Sequence, residues 1–341
     1  MSPSAQPLTK PANDAQTWAM FLSLAAIWGS SFLFIAIGLE EGVAPLSIVS
    51  LRTLFGGLFL GLVVLVRGGR LPLRWDVWKR MTFLGVTNIV IPFVLIAWGQ
   101  QYIASGMAGI LNAMVPLFTI MLAALVLHDE TITVAKLAGL AIGFCGVVLL
   151  ALPSLGAAGA DDGATLAVAG MLAVALAAVF YAIAAVYTRR RLTGHPIIEE
   201  PDGTVRSPTA REIALGSNIV AFMIITALAI AFERPGGGVY AIPQSNVAWF
   251  AMLWLGVLGT GLAYLLFFRL IERWGATRTT LVTYVIPIVA IALGFVLRDE
   301  RLRPIELAGA ALIIGGVVLV NATFGQRPLF RRESAESRLE P

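Results

Sequence analysis

Three prolines lie in long apolar stretches, and each stands four residues after a polar one: Asn88 before Pro92, Asn112 before Pro116, and Thr283 before Pro287. A proline inside a helix removes the N–H that would bond the carbonyl four residues back. Each of these prolines therefore releases a carbonyl on a residue whose side chain is itself polar. In hydrocarbon that double polarity is costly unless it faces a cavity or another helix. Asn88, Asn112 and Thr283 are thus candidate hydrogen-bonding groups for a polar solute, with Pro92, Pro116 and Pro287 as helix breaks. The competing reading at each site is a kink whose freed carbonyl is satisfied by a neighbouring helix.

Aromatic residues form a second set. Trp28 and Ser31 are three apart, and so are Trp98 and Gln101, a spacing that puts each pair on one helical face. Tyr284 neighbours Thr283, and Phe93 and Tyr264 occupy matching positions in the duplication described below. Stacking faces beside hydrogen-bonding groups suit an apolar or amphipathic solute. Trp18, Trp75, Trp78 and Trp249 lie at the ends of apolar stretches and read as an interfacial belt; Trp28 lies in the middle of one.

Arg52 is the only charge well inside an apolar stretch, seven residues past Pro45, hence about 10 Å deep at the helical rise per residue. Its burial costs at least ~2.5 kcal/mol unless it is paired or reaches water. It could bind a carboxylate of a solute, or pair with Glu40 or Glu41.

Other chemistry lacks its residues. The lone Cys145 makes no disulfide framework or thiolate metal site, and His128 and His195 stand far apart with no second ligand at useful spacing. No phosphate-binding G-x-x-x-x-G-K-[ST] loop occurs. A membrane enzyme would need a nucleophile–base pair or a metal cluster, and scattered serines without a mid-span His, Asp or Glu make neither. Neither a metal nor a cofactor is expected.

The elements that must position these residues follow from composition. Of 341 residues, 58% are apolar and only 13% charged, against about 25% charged in a soluble domain; the mean hydropathy is +0.85. A spanning helix needs about 20 apolar residues. Ten stretches qualify: 18–39, 45–66, 77–99, 103–126, 134–152, 165–188, 211–232, 247–271, 277–297 and 304–323. The expected fold is an all-α integral membrane protein with ten transmembrane helices. Residues 1–17 form a polar segment, 324–341 a polar tail, and 189–210 a surface loop holding His195, Glu199, Glu200 and Asp202. The first apolar stretch exceeds a signal-peptide core and reads as a retained span.

Lysines and arginines orient the chain. With the N-terminus in the cytoplasm, 19 fall on inside segments and 4 outside, Arg52 being the last. That asymmetry predicts both termini in the cytoplasm. The cluster at Arg298, Arg301 and Arg303 is the exception. The net charge of +4 serves orientation, and no soluble face is long enough to bind nucleic acid.

The sequence also repeats. Residues 85–116 (GVTNIVIPFVLIAWGQQYIASGMAGILNAMVP) align without a gap on 256–287 (GVLGTGLAYLLFFRLIERWGATRTTLVTYVIP). Leu127-His-Asp-Glu130 then falls on Leu297-Arg-Asp-Glu300, Gly139 on Gly309, and Gly146-Val-Val-Leu149 on Gly316-Val-Val-Leu319. More weakly, Leu24-Ala-Ala-Ile-Trp28 matches Leu176-Ala-Ala-Val-Phe180, and Pro45 matches Pro208. Five spans, 18–152, thus repeat as five, 165–323. Five is odd, so the second copy enters the membrane upside down. An inverted 5+5 repeat is an architecture of secondary transporters, which hold their solute near the midplane between the halves. The alternative is a duplicated scaffold without transport.

On these residues the chain resembles the drug/metabolite transporter superfamily, in its EamA-like ten-helix branch. The resemblance rests on Ala26-Ile-Trp-Gly-Ser-Ser-Phe32, on Pro45 followed by Leu51-Arg52, on the Pro116 and Pro287 helices each running to an Asp-Glu pair, and on the Gly-rich fifth and tenth spans. It covers residues 18–323. It implies export or exchange of small organic solutes, amino acids and related metabolites prominent among them. Arg52 is shared by members with differing substrates, which favours an architectural role for it. The acidic 189–210 loop is longer than the family's usual link.

The expected partners are a small-molecule substrate and the lipid bilayer. No Asp or Glu lies at mid-span depth, where proton relays usually sit. If protons are the coupling ion, Glu40, Glu41 or Glu272 at helix ends must carry them; exchange or facilitated diffusion is equally open. The rival classes are a polytopic membrane enzyme and a channel. The rows Gly139-x-x-x-Gly143 and Gly309, Gly315, Gly316 allow close helix contact, expected within one chain, and the oligomeric state stays open. The Ala, Gly and Arg bias points to a high-GC bacterium and hence a cytoplasmic (inner) membrane.

Overall fold

Apolar runs of this length leave the backbone only one way to satisfy its own polar groups in lipid, and the chain takes it. The computed structural model describes residues 15–68, 71, 74–126, 133–155, 161–192, 196–199, 204–233, 242–274, 279 and 281–321. The N-terminal segment to residue 14, the Asp129-Glu130 pair, His128, His195, Glu200, Asp202 and the tail 324–341 lie outside the described residues.

The helices are α1 (Ala15–Glu40), α2 (Pro45–Val66), α3 (Trp75–Gly99), α4 (Ser105–Val126), α5 (Val134–Leu155), α6 (Asp162–Arg191), α7 (Ala210–Phe232), α8 (Asn246–Trp274), α9 (Val282–Arg298) and α10 (Pro304–Asn321). The first eight are each long and apolar enough to cross a bilayer, and α9 and α10 are shorter apolar helices. Large apolar side chains such as Leu58, Leu172, Met223 and Phe295 stand exposed on the outside of the bundle. Water would not tolerate that shell, and lipid requires it. The chain is an all-α, multi-pass membrane protein.

Glycine decides which helices touch most closely. On α5, a Cβ at Gly139 would stand 2.5 Å from the Gly316 carbonyl of α10, and one at Gly146 would stand 2.6 Å from that of Gly309. Gly139 and Gly143 of the expected rows therefore meet Gly316 within the chain and Gly309 meets Gly146, whereas a Cβ at Gly315 would find none of the described residues within 4 Å. The other main contacts join α2 to α7 and α8, α3 to α6 and α7, α1 to α8 and α9, and α4 to α6 and α9.

Carboxylates close one end of the bundle, where α1 finishes and α2 begins, here termed the Glu40 end. Glu233, just past α7, accepts from the Leu46 and Ser47 backbone N–H groups of α2 at 2.7 and 2.8 Å. Glu300, just past α9, accepts from the Ser105 and Gly106 N–H groups of α4 at 3.1 and 3.0 Å. Both are negative charges at positive helix termini. Arg298 pairs with Glu40 and, at 3.2 Å, with Glu300, while Arg301 meets Asp299 at 3.0 Å. Arg298 and Arg301 of the cluster that broke the charge pattern are thus matched by acids, two of them in the same turn.

Within the surface loop expected over 189–210, α6 runs on to Arg191 and two short strands pair. Ile198–Glu199 pairs antiparallel with Val205–Arg206, and Ile198 packs on Val77 and Met81 of α3. An apolar side chain with a wall to cover pins the hairpin. At its far side Arg206 forks onto Glu212 at 2.7 and 2.9 Å, inside the Thr209–Glu212 capping box that starts α7.

The backbone differs at the three prolines expected to be helix breaks. Residues Val86–Val90 of α3, just before Pro92, are wound as a π-helix, and the helix runs on through Pro92 to Gly99. In α4 the helix stops after Asn112, turns at Ala113 and Met114, and resumes at Val115. Pro287 sits within an uninterrupted α9 that begins only five residues earlier. It deletes a single bond in a helix otherwise intact on both sides, so no break forms.

Candidate functional site

A polar cluster forms where α2, α3, α6 and α8 meet, and Arg52 is its centre. The residue is 6% exposed. The Arg52 Nε donates to Thr260 Oγ1 on α8 at 3.1 Å. Its guanidinium carbon lies 3.9 Å from the centre of the Phe93 ring on α3. The hydroxyls of Tyr181 on α6 and Tyr264 on α8 are within electrostatic reach. No carboxylate pairs with Arg52 among the described residues.

The expected partners of that arginine are engaged elsewhere. Glu40 holds Arg298, and Glu41 accepts from Ser245 Oγ at 2.5 Å. Pairing of Arg52 with Glu40 or Glu41 is therefore overturned. Both acids lie at the Glu40 end, and the arginine is anchored about two turns deeper.

Local backbone explains why the side chains converge. Residues Trp254–Leu262 of α8 are wound as a π-helix, in a run holding Gly256, Gly259 and Gly261 that aligns with the π segment of α3. Thr260 Oγ1 donates to the Leu255 carbonyl five residues back at 3.1 Å, which aims its oxygen at Arg52. A Cβ at Gly259 would stand 3.1 Å from Ser31 Oγ and 3.8 Å from Arg52 Nη2, so the bare backbone there lets α1 and α2 close in. Asn88, inside the α3 π segment, donates its Nδ2 to the Tyr264 hydroxyl at 3.0 Å. Short π segments occur often at functional sites.

Of the residues singled out from sequence, Arg52, Asn88, Phe93, Tyr264 and Ser31 come together here. Trp28 is half-buried on the same face of α1, with its ring 5.4 Å from Phe267 of α8. Trp98 and Gln101 do not join them. They finish α3 at the Glu40 end, where Gln101 Nε2 donates to the Trp98 carbonyl and the Trp98 ring lies 5.2 Å from Tyr102. Gln101 lines a cleft of about 580 Å³ there, together with Glu40, Gln100, Ser105, Arg298 and Glu300.

Asn112 ends the first half of α4, and its Oδ1 is buried without a hydrogen-bond partner. Thr283 lies half-buried in the first turn of α9. Tyr284 turns to α10 instead, donating its hydroxyl to the Val317 carbonyl at 3.2 Å. Sequence reasoning missed Thr260 and Tyr181. Thr260 was visible as the lone hydroxyl in a glycine run, next to the Gly259 that aligns with Asn88, and Tyr181 as a tyrosine inside the sixth span.

Comparison with known proteins agrees with this architecture. The EamA-like transporter family matches residues 16–152 and again 204–322. An uncharacterized transporter of Archaeoglobus fulgidus is 25% identical, over 89% of this chain and 98% of its own length. A probable terminal-alkyne amino-acid exporter of Streptantibioticus cattleyicolor is 28% identical over 94% and 96%. The uncharacterized inner membrane transporter YedA of Escherichia coli is 28% identical over 87% and 88%. One solved crystal structure superposes with a TM-score of 0.58 at 20% identity, over 90% of this chain and 96% of the other, a likeness of fold. The chain belongs to the EamA-like transporter family.

Proposed function

We propose that this transporter exports or exchanges a small solute bearing a carboxylate, an amino acid or a close metabolite, by alternating access between two inverted halves. The observation that carries the reading is the Arg52 guanidinium, deep in the bundle with no acid to neutralise it among the described residues. A buried cation in lipid demands a counter-charge, and a solute carboxylate supplies one during the cycle. The aromatic side chains gathered there, Phe93 against the guanidinium and Tyr181 and Tyr264 within its electrostatic reach, suit the solute's apolar part. The relative named as a probable amino-acid exporter supports the same class.

The inverted repeat, with halves 18–152 and 165–323, has three supports. The family matches the chain twice. The π segments in α3 and α8 fall at aligned positions. Helix contacts also come in pairs that the exchange of halves interconverts: α3 with α6 and α8 with α1, α4 with α6 and α9 with α1, α2 with α8 and α7 with α3. By the charge count, the Glu40 end faces outward from the cytoplasmic membrane and both termini lie inside.

The test is counterflow in proteoliposomes against a panel of amino acids and metabolites, each beside its methyl ester. Saturable exchange of the acids and none of the esters is the expected result. Unsaturable flux without counterflow would make the protein a channel, and equal exchange of acids and esters would remove Arg52 from recognition. Repeating the uptake under an imposed pH gradient decides the coupling: indifference to the gradient eliminates protons and leaves Glu40, Glu41 and Glu272 without a coupling role.

A further inference from the structure

We propose that the cleft at the Glu40 end is a second solute site, which takes an amino acid by exchanging partners in the Glu40–Arg298 ion pair. The solute's carboxylate takes the Arg298 fork, and its ammonium takes the released Glu40. This rests on the amino-acid reading proposed above. The cleft, of about 580 Å³, has three charged residues in its lining: Glu40 from α1, Arg298 from α9, and Glu300 just past it. Arg298 Nη1 donates to Glu40 Oε2 at 2.6 Å and Nη2 donates to Oε1, while Nε donates to Glu300 Oε1 at 3.2 Å. Two such bonds side by side are the form in which arginine receives a carboxylate of any origin. Glu40 therefore stands where a solute carboxylate would.

The two acids are held very differently. Asp299 caps α9 in the left-handed conformation, at φ 50°, and the turn brings the Glu300 N–H to the Gly294 carbonyl at 3.1 Å. The Glu300 carboxylate folds back beside Gly294, where a Cβ would stand 3.1 Å from its Cδ. It also accepts from Ser105 and Gly106 of α4. Its side chain is 15% exposed, against 61% for Glu40. Among the described residues, Glu40 has Arg298 alone as a hydrogen-bond partner. An exposed pair of that kind opens at little cost. Opening it leaves Arg298 anchored to Glu300 through Nε, with both Nη groups free for a solute.

Charge sets the ligand class. Two acids and one arginine leave the cleft lining with one net negative charge. A simple carboxylate would add a second and strand Glu40 without a cation. A zwitterion leaves the total unchanged and turns one ion pair into two. An amine or an ester brings no carboxylate to displace Glu40.

The experiment follows labelling of a cysteine placed at Ala104, in the wall of the cleft, by a charged thiol reagent in detergent, with Cys145 replaced throughout. The protectants are an amino acid exchanged in proteoliposome counterflow, its deamino carboxylate and its methyl ester. The amino acid should slow labelling at a lower concentration than either of the others. Protection should persist in Arg52→Met, which removes the deeper cation, and vanish in Arg298→Gln. Glu40→Gln should let the deamino carboxylate protect at about two- to sixfold lower concentration, because its competitor is gone. A purely structural ion pair predicts no such gain, with Glu40→Gln changing labelling equally with and without solute, and that result would overturn the proposal. Protection that disappears in Arg52→Met overturns it too, since the cysteine would then report on the Arg52 site, as does protection that survives Arg298→Gln. A wild type that exchanges no amino acid sinks the amino-acid reading and this site with it, whereas exchange without protection sinks this site alone.

Discussion

The Arg52 guanidinium lies over the Phe93 ring with its carbon 3.9 Å from the ring centre, while its Nε is held by Thr260 at 3.1 Å. One cation is thus fixed between the two halves of the chain, stacked on a residue of the first and bonded to a residue of the second. Stacking stabilises the charge without neutralising it, and a single neutral hydrogen bond leaves most of the five guanidinium donors for something else. The anchored Nε and the remaining donors are different parts of one side chain, so an architectural role and a solute-binding role do not exclude each other.

Arg52→Lys should separate those parts. A lysine keeps the charge but loses the planar fork and the stacking surface. Exchange of carboxylate solutes should fall by about tenfold, the loss of one charge-assisted contact, while the protein still inserts and purifies. Arg52→Met should abolish exchange. Counterflow rates normalised to protein in the membrane decide both, and a fully active Arg52→Met would end the carboxylate role.

Two tyrosines give a matched control. The Tyr264 hydroxyl accepts from Asn88 inside the cluster, whereas the Tyr284 hydroxyl is bound to the Val317 backbone of α10. Tyr264→Phe should raise the solute concentration for half-maximal exchange several-fold. Tyr284→Phe should leave it unchanged and cost about 1 kcal/mol of stability. The comparison needs only saturation curves and unfolding curves on the same two preparations.

Much of the fold was legible because membrane helices write themselves locally: length, apolarity and flanking charge fix each span before any packing is known. The site was legible where polarity was written twice, as at Asn88 and Pro92, or where a charge stood alone, as at Arg52. It was not legible where the deciding feature is which neighbour a side chain finds. Tyr284 sits beside Thr283 as the cluster pattern would have it, yet its hydroxyl is spent on α10. Trp98 and Gln101 share a face with nothing from the Arg52 cluster on it, since α3 carries them to the Glu40 end. Pro287 matches Pro116 in the repeat but lacks its effect, because a lost hydrogen bond becomes a break only where the flanking turns also give way.

Glu300 should prove the strongest of the end contacts. Its carboxylate accepts from two backbone N–H groups of α4, from Ser105 Oγ at 2.8 Å, and from Arg298 Nε at 3.2 Å. Glu300→Gln keeps the shape and removes the charge that favours the helix terminus. It should lower stability by about 1–3 kcal/mol, read from thermal unfolding in detergent. A cysteine placed at Ala104, beside the cleft, should also react faster with a charged thiol reagent in that background, with Cys145 replaced in both proteins. Equal labelling rates would mean that α4 is held at this end by packing and not by the carboxylate.

Gly56 offers the sharpest test of how Arg52 is held, because the residue touches no solute. A Cβ there would stand 2.8 and 2.9 Å from Cγ2 and Cβ of Thr260 and 3.2 Å from the Gly256 carbonyl. Gly56→Ala must therefore push the π segment of α8 outward and draw Thr260 off the arginine. Exchange should drop about tenfold, with stability reduced by about 1–3 kcal/mol from overpacking. Thr260→Ser removes the nearer of the two clashing side-chain atoms and keeps the hydroxyl that accepts from Arg52. The pair Gly56→Ala with Thr260→Ser should recover part of the activity lost by Gly56→Ala alone, more than the effects of the two single changes predict together. The recovery is partial because the Cβ and carbonyl contacts remain. If the double variant is simply the sum of the singles, Gly56 and Thr260 do not act through one contact, and the arginine is positioned by Phe93 instead.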